Sequence, residues 1–244
     1  MASIKKAIKD LFKPDVIKFG IRTRSISQWV QAGLREQNIT LLDMNNSILM
    51  EYRGYKFKVD AITVHPVISV YDDYRLDRIR KGDVVLDIGA QIGAFAIPAS
   101  NKAKIVHAVE PLFYDTLKYN RYLNRIENIE IHTFGINKSG FIGEAEYWGV
   151  KGDCDYMSFK KLKQYIGQVD FLKIDCEGAE WTINPDDLKG IRTIEAELHT
   201  FNLFHLRNVH KWERWLKLNG YEYDLIKMDS TRYMLHAERL WEQL

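Results

Sequence analysis

The chain has 244 residues, 46% hydrophobic and 28% charged, enough for one large domain with a substantial buried core, alone or with a small extension. With 35 Lys and Arg against 33 Asp and Glu the net charge is +2, which gives no composition-level argument for a nucleic-acid binder. No apolar run approaches the roughly 18 residues of a membrane span. The start, MASIKKAIKDLF, lacks the apolar segment and cleavage site of a secretory signal. Two cysteines, Cys154 and Cys176, make a disulfide framework unexpected and fit a reduced, cytoplasmic protein.

In chain order, residues 3–13 read as a short amphipathic helix: Ile4, Ala7, Ile8, Leu11 and Phe12 share a face, lysines fill the rest, and Pro14 ends it. Packing on its own domain is the expected role, with peripheral contact to a membrane surface or partner as the alternative. A second helix is expected over 25–37. ITLLDMNNSILMEYRGYKFKVD follows as a β-meander, with turns at Asn45-Asn46 and Arg53-Gly54. We divide the chain here into an N-terminal helical and β-hairpin extension (1–62) and a main domain (63–244). Residues 70–80 read as a helix ending at Lys81-Gly82.

From Asp83 the pattern changes. VVLDIG, KIVHAVE, NIEIHTF, VDFLKID and IRTIEAEL are short apolar runs, separated by helical segments at 92–103, 112–125, 158–166 and 184–190. Buried strands alternating with helices predict an α/β, Rossmann-like, doubly wound sheet that is mostly parallel. FNLFHLRNVHKWERWLKLNG is a long helix, and YEYDLIKM and TRYMLHA close the chain as an antiparallel hairpin.

The sharpest signal is Asp87-Ile88-Gly89-Ala90-Gln91-Ile92-Gly93, a turn from the first apolar strand into a helix. Glycine there allows unusual dihedrals and close ligand approach. Glu110, 23 residues after Asp87, ends the second strand, where a carboxylate can accept both hydroxyls of a ribose. The dinucleotide fingerprint has three glycines and this turn has two, led by an acid. An anion-binding turn would exclude that acid, whereas the cationic S-adenosyl-L-methionine suits it. The phosphate-loop pattern is absent.

These segments resemble the FkbM-type methyltransferases, within the class I S-adenosylmethionine-dependent methyltransferases. VVLDIGAQIGAF, VHAVEP, VDFLKIDCEGAEW and IEAELH carry the likeness, KIDCEGAE most specifically, over about residues 65–237. The resemblance implies a seven-stranded sheet whose last pair includes one antiparallel strand. It also implies transfer of a methyl group from S-adenosylmethionine, usually to a hydroxyl of a sugar, glycan or other small molecule. Carried onto this chain, it assigns Asp87, Gly89, Ala90, Gln91, Gly93, Glu110 and Pro111 to the cofactor, and Asp175, Glu177 and His199 to the methyl-transfer site. Cys176 stands where valine is usual, and Pro98 falls inside the expected first helix, where it should shorten or kink it.

Asp87, Glu110, Asp175 and His199 all end apolar strands, so the fold would gather them on one rim. Asp175, Glu177 or His199 would take a proton from the acceptor, His199 being attractive because imidazole titrates near neutral pH. The same three residues could in principle hold a divalent ion, but no metal is expected. Tyr147, Trp148 and Tyr156 offer aromatic faces for a substrate, or packing. The even charge and the lack of a long basic stripe set nucleic acid aside as acceptor, despite Lys160, Lys161 and Lys163. A nucleic-acid methyltransferase and a non-catalytic S-adenosylmethionine-binding protein are the alternatives.

Overall fold

The computed structural model describes residues 39–44, 47–59, 63–147 and 149–239. The helices expected at 3–13 and 25–37, the Asn45-Asn46 turn and Trp148 lie outside the described residues. Strands β1 (Ile39–Met44), β2 (Ser47–Tyr52) and β3 (Tyr55–Val59) form the expected antiparallel meander. Arg53 and Gly54 both take positive φ, 50° and 83°, the combination that lets a two-residue turn follow the twist of a hairpin.

Helix α1 spans Val64–Asp73 and ends earlier than expected, because Tyr74 turns extended at φ −121°, ψ 142°. A single 3-10 turn, Leu76–Arg78, then leads into β4 (Val84–Ile88). The helix expected over 92–103 is only α2, Ala96–Ala99. Gly93 at φ +93° holds the preceding turn out of helical geometry. Pro98 then falls in the first turn, where its missing N–H is not needed.

Next come β5 (Ile105–Val109), α3 (Tyr114–Leu123), β6 (Ile129–His132), β7 (Phe134–Ile136), β8 (Ile142–Tyr147) and β9 (Val150–Met157). Helix α4 (Phe159–Ile166) is capped by the Ser158 hydroxyl at its start and by Gly167, φ +86°, at its end. The chain continues through β10 (Phe171–Ile174), 3-10 turns at Ala179–Thr182 and Pro185–Leu188, and β11 (Thr193–His199). Helix α5 (Leu203–Leu218), capped by Asn202, and the hairpin β12 (Tyr221–Lys227) and β13 (Arg232–Arg239) complete it.

The main sheet has the order β12-β13-β11-β10-β4-β5-β6. The pairs from β11 to β6 are parallel, and β13 runs antiparallel to both its neighbours, as the resemblance implied. Successive strand residues point to opposite faces. Val85, Val106 and Phe171 therefore build one apolar core with α1, α2 and the meander, while Leu86, Leu172 and Ile194 build another with α4 and α5. The sequence analysis missed one element, a separate three-stranded sheet of order β7-β9-β8 inserted before α4.

The meander is tied to the main fold through two asparagines four residues apart, Asn120 of α3 and Asn124 at its C-cap. Asn124 accepts from Lys56 N (2.8 Å) and donates to Lys56 O (2.6 Å). Asn120, fully buried, accepts from Lys58 N (2.6 Å) and donates to Lys58 O and to Ile92 O. The two amides act as a substitute strand along the free edge of β3. No described helix is long and apolar enough to cross a membrane.

Candidate active site

Parallel strands β11, β10, β4 and β5 are neighbours, so their carboxyl ends share one rim, and the expected residues meet there. The glycine turn opens the site. A Cβ on Gly89 would lie 1.7 Å from the backbone oxygen of Asp175, so only glycine lets the turn pass the end of β10. Gly93 is shielded by Leu117, whose Cδ1 a Cβ would meet at 2.4 Å. Ala90 is buried, and Gln91 takes φ +48° and keeps a buried Oε1 without a hydrogen-bond partner.

Glu110 is buried, and three backbone N–H groups already bind it: Gln91 N at 2.8 Å on Oε2, Leu112 N at 2.7 Å and Phe113 N at 3.0 Å on Oε1. Burial pushes its carboxyl up against those donors. Oε1 has spent both lone pairs and Oε2 retains one, which leaves room for one ribose hydroxyl instead of the two the sequence suggested. Pro111 starts the turn that aims these N–H groups.

Asp87 is fully buried and faces Lys173 of β10, whose Nζ lies 3.2 Å from its Oδ1. Lys173 also donates to Gly89 O (2.8 Å) and sits 3.9 Å from Asp175. The nearby Asp87 and Asp175 hold Lys173 above the ordinary lysine range although burial opposes them. So the leading acid of the motif has an internal cation. Two carboxylates, Asp87 and Asp175, against one ammonium still leave the electrostatic balance beneath the turn negative. Sequence reasoning missed Lys173, because a lysine inside an apolar strand reads as an interruption.

Asp175 accepts from the hydroxyl of Tyr74 at 3.0 Å, which explains why α1 stops where it does. Glu177 takes φ +54°, an uncommon conformation for a side-chain-bearing residue and one that recurs at functional sites. Its carboxylate is half-exposed, 3.4 Å from His199 Nε2. Burial, reinforced by Asp175 and Glu180, raises its carboxyl despite His199.

His199 is buried, and its Nδ1 lies 3.1 Å from Glu180 Oε1. Burial alone would lower it. The Glu180 hydrogen bond and the charges of Glu180, Glu177 and Asp175 outweigh burial and hold the imidazole up to about 9. His199 is therefore protonated at neutral pH and has no lone pair with which to act as base. The partner that holds this imidazole is Glu180. Fully buried, it accepts from Gly178 N, His199 N and His199 Nδ1, and so fixes both the loop and the imidazole. Asp175, Glu177 and His199 each offer a ligand atom within 4.8 Å of the others.

Tyr147 reaches the same rim. Burial, Glu177 and Asp175 push its hydroxyl far up, and a hydrogen bond with Gln91 acts the other way. Tyr156 instead stacks on Phe141 at 4.6 Å within the small sheet. On the other side of the site, Phe201 leans on the His199 ring (5.4 Å) and is exposed together with Leu203 and Phe204. Below them the solvent face of α5 carries Arg207, Lys211 and Arg214, at helical spacing i, i+4, i+7. None of these three has an ion-pair partner among the described residues. This is the basic stripe that the sequence analysis did not find. The Lys160–Lys163 cluster is weaker than it looked, because Lys163 is committed to the carbonyls of Asp187 and Lys189.

Residues 153–223 match the methyltransferase FkbM domain, in agreement with the resemblance. Among curated proteins the chain is similar to the tRNA (guanine(37)-N(1))-methyltransferase of Leishmania major, 27% identical over 176 residues, covering 59% of this chain and 26% of that protein. It is also similar to the enzyme of that name from Danio rerio, 27% identical over 121 residues, covering 49% and 24%. The chain thus spans about a quarter of the length of these relatives. Among solved structures, M. jannaschii TYW2 in complex with AdoMet superposes with a TM-score of 0.51 at 17% identity, covering 82% of this chain and 90% of that one, which supports the Rossmann-like fold.

These relatives overturn two expectations. They are tRNA methyltransferases acting on a guanine nitrogen, against a sugar, glycan or other small-molecule hydroxyl as acceptor and against O-methylation. They also overturn the setting aside of nucleic acid as a partner. The physical error was to read a patch from net charge: a total of +2 is compatible with three like charges aligned on one helix face.

Proposed function

We propose, from the match of residues 153–223 to the methyltransferase FkbM domain, that this chain is an S-adenosylmethionine-dependent methyltransferase acting on a base nitrogen in RNA. The observation that carries the acceptor class is the similarity to tRNA (guanine(37)-N(1))-methyltransferases. Two features of the site support it: the exposed Phe201, Leu203 and Phe204 at the rim, suited to stacking on an unpaired base, and the Arg207, Lys211 and Arg214 stripe, suited to phosphates.

The residues present fit the cofactor. The close-approach turn at Gly89, the unpartnered Gln91 Oε1, the remaining lone pair of Glu110 and the negative balance around Lys173 suit a nucleoside carrying positive charge. In this reading Asp87, Gly89, Ala90, Gln91, Gly93, Glu110 and Pro111 form its pocket. S-adenosylmethionine, when bound, supplies the electrophilic methyl group. Glu177 faces the acceptor and would take the proton of a guanine-type N–H as the new C–N bond forms and the methyl carbon's bond to the donor sulfur breaks, the electron pair staying with sulfur; its raised affinity for protons suits it to that task. Asp175, fixed by Tyr74, orients the acceptor. Protonated His199 holds Glu177 in place and keeps its charge balanced. Methyl transfer belongs to residues 63–244, with residues 1–62 as an extension. A cytoplasmic location, where RNA is met, belongs to the same reading, and both cysteines are free.

The deciding experiment is transfer of tritiated methyl from S-adenosylmethionine to RNA, with glycans and lipids in parallel. Label in an RNA base, lost in Glu177→Gln, is the expected result. Label confined to a glycan or lipid overturns the proposal.

A further inference from the structure

Outside the rim described above, His107 of β5 and Glu130 and His132 of β6 point from one face of the sheet. Glu130 pairs with His107 across the parallel ladder, and His132 lies two residues further along the same face. Four ligand-capable atoms of three residues converge there. His107 Nδ1 stands 3.0 Å from His132 Nε2, His107 Nδ1 stands 3.6 Å from Glu130 Oε2, and His132 Nε2 stands 3.9 Å from Glu130 Oε1. Metal–nitrogen and metal–oxygen bonds of about 2.1 Å in a tetrahedron put neighbouring ligand atoms about 3.4 Å apart. Taking one atom from each residue, all lie within 4.8 Å of one another, so a cation fits once it replaces the hydrogen bond between the two imidazoles and the half-exposed Glu130 carboxylate turns one oxygen toward it. Both imidazoles are buried, whereas the Glu130 side chain is 44% exposed and leaves an entry path from solvent.

We infer that His107, Glu130 and His132 form a binding site for a zinc-class divalent cation, with two imidazoles and one carboxylate as ligands and the fourth position open to water. Two nitrogens and one hard oxygen favour zinc over calcium or magnesium, which take oxygen sets. The site bridges β6, the outermost strand, to β5, so a bound ion would pin the sheet edge. It lies on the opposite side of the glycine turn from the His199 rim and does not depend on the proposed reaction.

Calorimetric titration of the metal-free full chain with zinc chloride tests it. The expected result is one equivalent bound, raising the melting temperature, with Glu130→Gln at least tenfold weaker and His132→Gln without the site. Because His132 is buried and its replacement could fail to fold, Glu130→Gln decides by itself. Absence of stoichiometric binding, or binding unchanged in Glu130→Gln, overturns the inference. So does loss of binding in Glu177→Gln with Glu130→Gln unaffected, which would place the ion at the rim.

Discussion

Lys173 lies beneath the glycine turn with its ammonium 3.2 Å from the Asp87 carboxylate, and both residues are nearly or fully out of reach of solvent. The pair makes the acid at the head of the motif a structural anion as well as a candidate cofactor contact. It also ties β4 to β10 at the point where the two strands deliver the site, since the same ammonium donates to Gly89 O.

Breaking that pair leaves an uncompensated buried charge. Lys173→Met is expected to cost about 3–5 kcal/mol of stability, measured by denaturant unfolding. The double variant Asp87→Leu/Lys173→Met should cost clearly less than the two single changes added together. Strict additivity would show that the two side chains are not coupled.

His199 sets a pH dependence of defined sign. Its folded-state pKa is raised from 6.5 to about 9, so its stabilising contribution is complete below pH 6.5 and fades as pH rises through about 9. The full effect is on the order of 3 kcal/mol. Melting temperatures from pH 6 to 10 should fall between about pH 6.5 and 9 in the native chain and level off above, and change much less in His199→Gln. A native profile as flat as the variant's would disprove the protonated imidazole.

Glu110 anchors three backbone N–H groups and is the proposed ribose contact, and mutagenesis can separate the two. Glu110→Ala removes the acceptor of three backbone N–H groups and should destabilise the chain by about 2–4 kcal/mol. Glu110→Gln keeps one acceptor oxygen. It should fold with a smaller loss and bind S-adenosylmethionine roughly tenfold more weakly, as read by calorimetry. Unchanged affinity in Glu110→Gln would remove the residue from the pocket.

Two glycines with positive φ should respond differently to alanine. At Gly167 nothing lies within 4 Å of the added Cβ, so only the backbone, at φ 86°, ψ −124°, is penalised, by about 1–3 kcal/mol. At Gly89 the Cβ collides with the backbone of Asp175, and Gly89→Ala should displace the end of β10, abolish cofactor binding and lower solubility. Comparable unfolding midpoints for the two variants would contradict the close approach.

The stripe on α5 predicts a selective defect. Replacing Arg207, Lys211 and Arg214 with glutamine should weaken RNA binding at least tenfold and flatten its salt dependence, while leaving S-adenosylmethionine affinity unaltered. Filter binding at two salt concentrations reads the first, and calorimetry the second. Undiminished RNA binding would exclude this face as the phosphate track.

The strands were legible because β4, β5, β10 and β11 are short apolar runs with an acid or, for β11, a histidine at their ends, and the turn because Gly89 and Gly93 frame it. Features made by distant residues were not legible. Glu180 meets His199 only when the loop after β10 closes on β11, and that contact reverses the protonation expected of an isolated imidazole. Arg207, Lys211 and Arg214 look scattered in the chain and align only on a helix, whereas the adjacent lysines of α4 look clustered and are partly spent. Strands β8 and β9 were missed because Gly143, Gly149 and Gly152 dilute the alternation that marks a strand.

Asn120 grips Lys58 on one side and the Ile92 carbonyl on the other, so a single amide splints the glycine turn to the N-terminal meander. Trimming the chain past β3 would therefore do more than shorten it. It would strip the brace from the loop next to Gly93, and, if that loop is the nucleoside pocket proposed above, leave a truncated enzyme with a loose grip even with every residue of the turn intact.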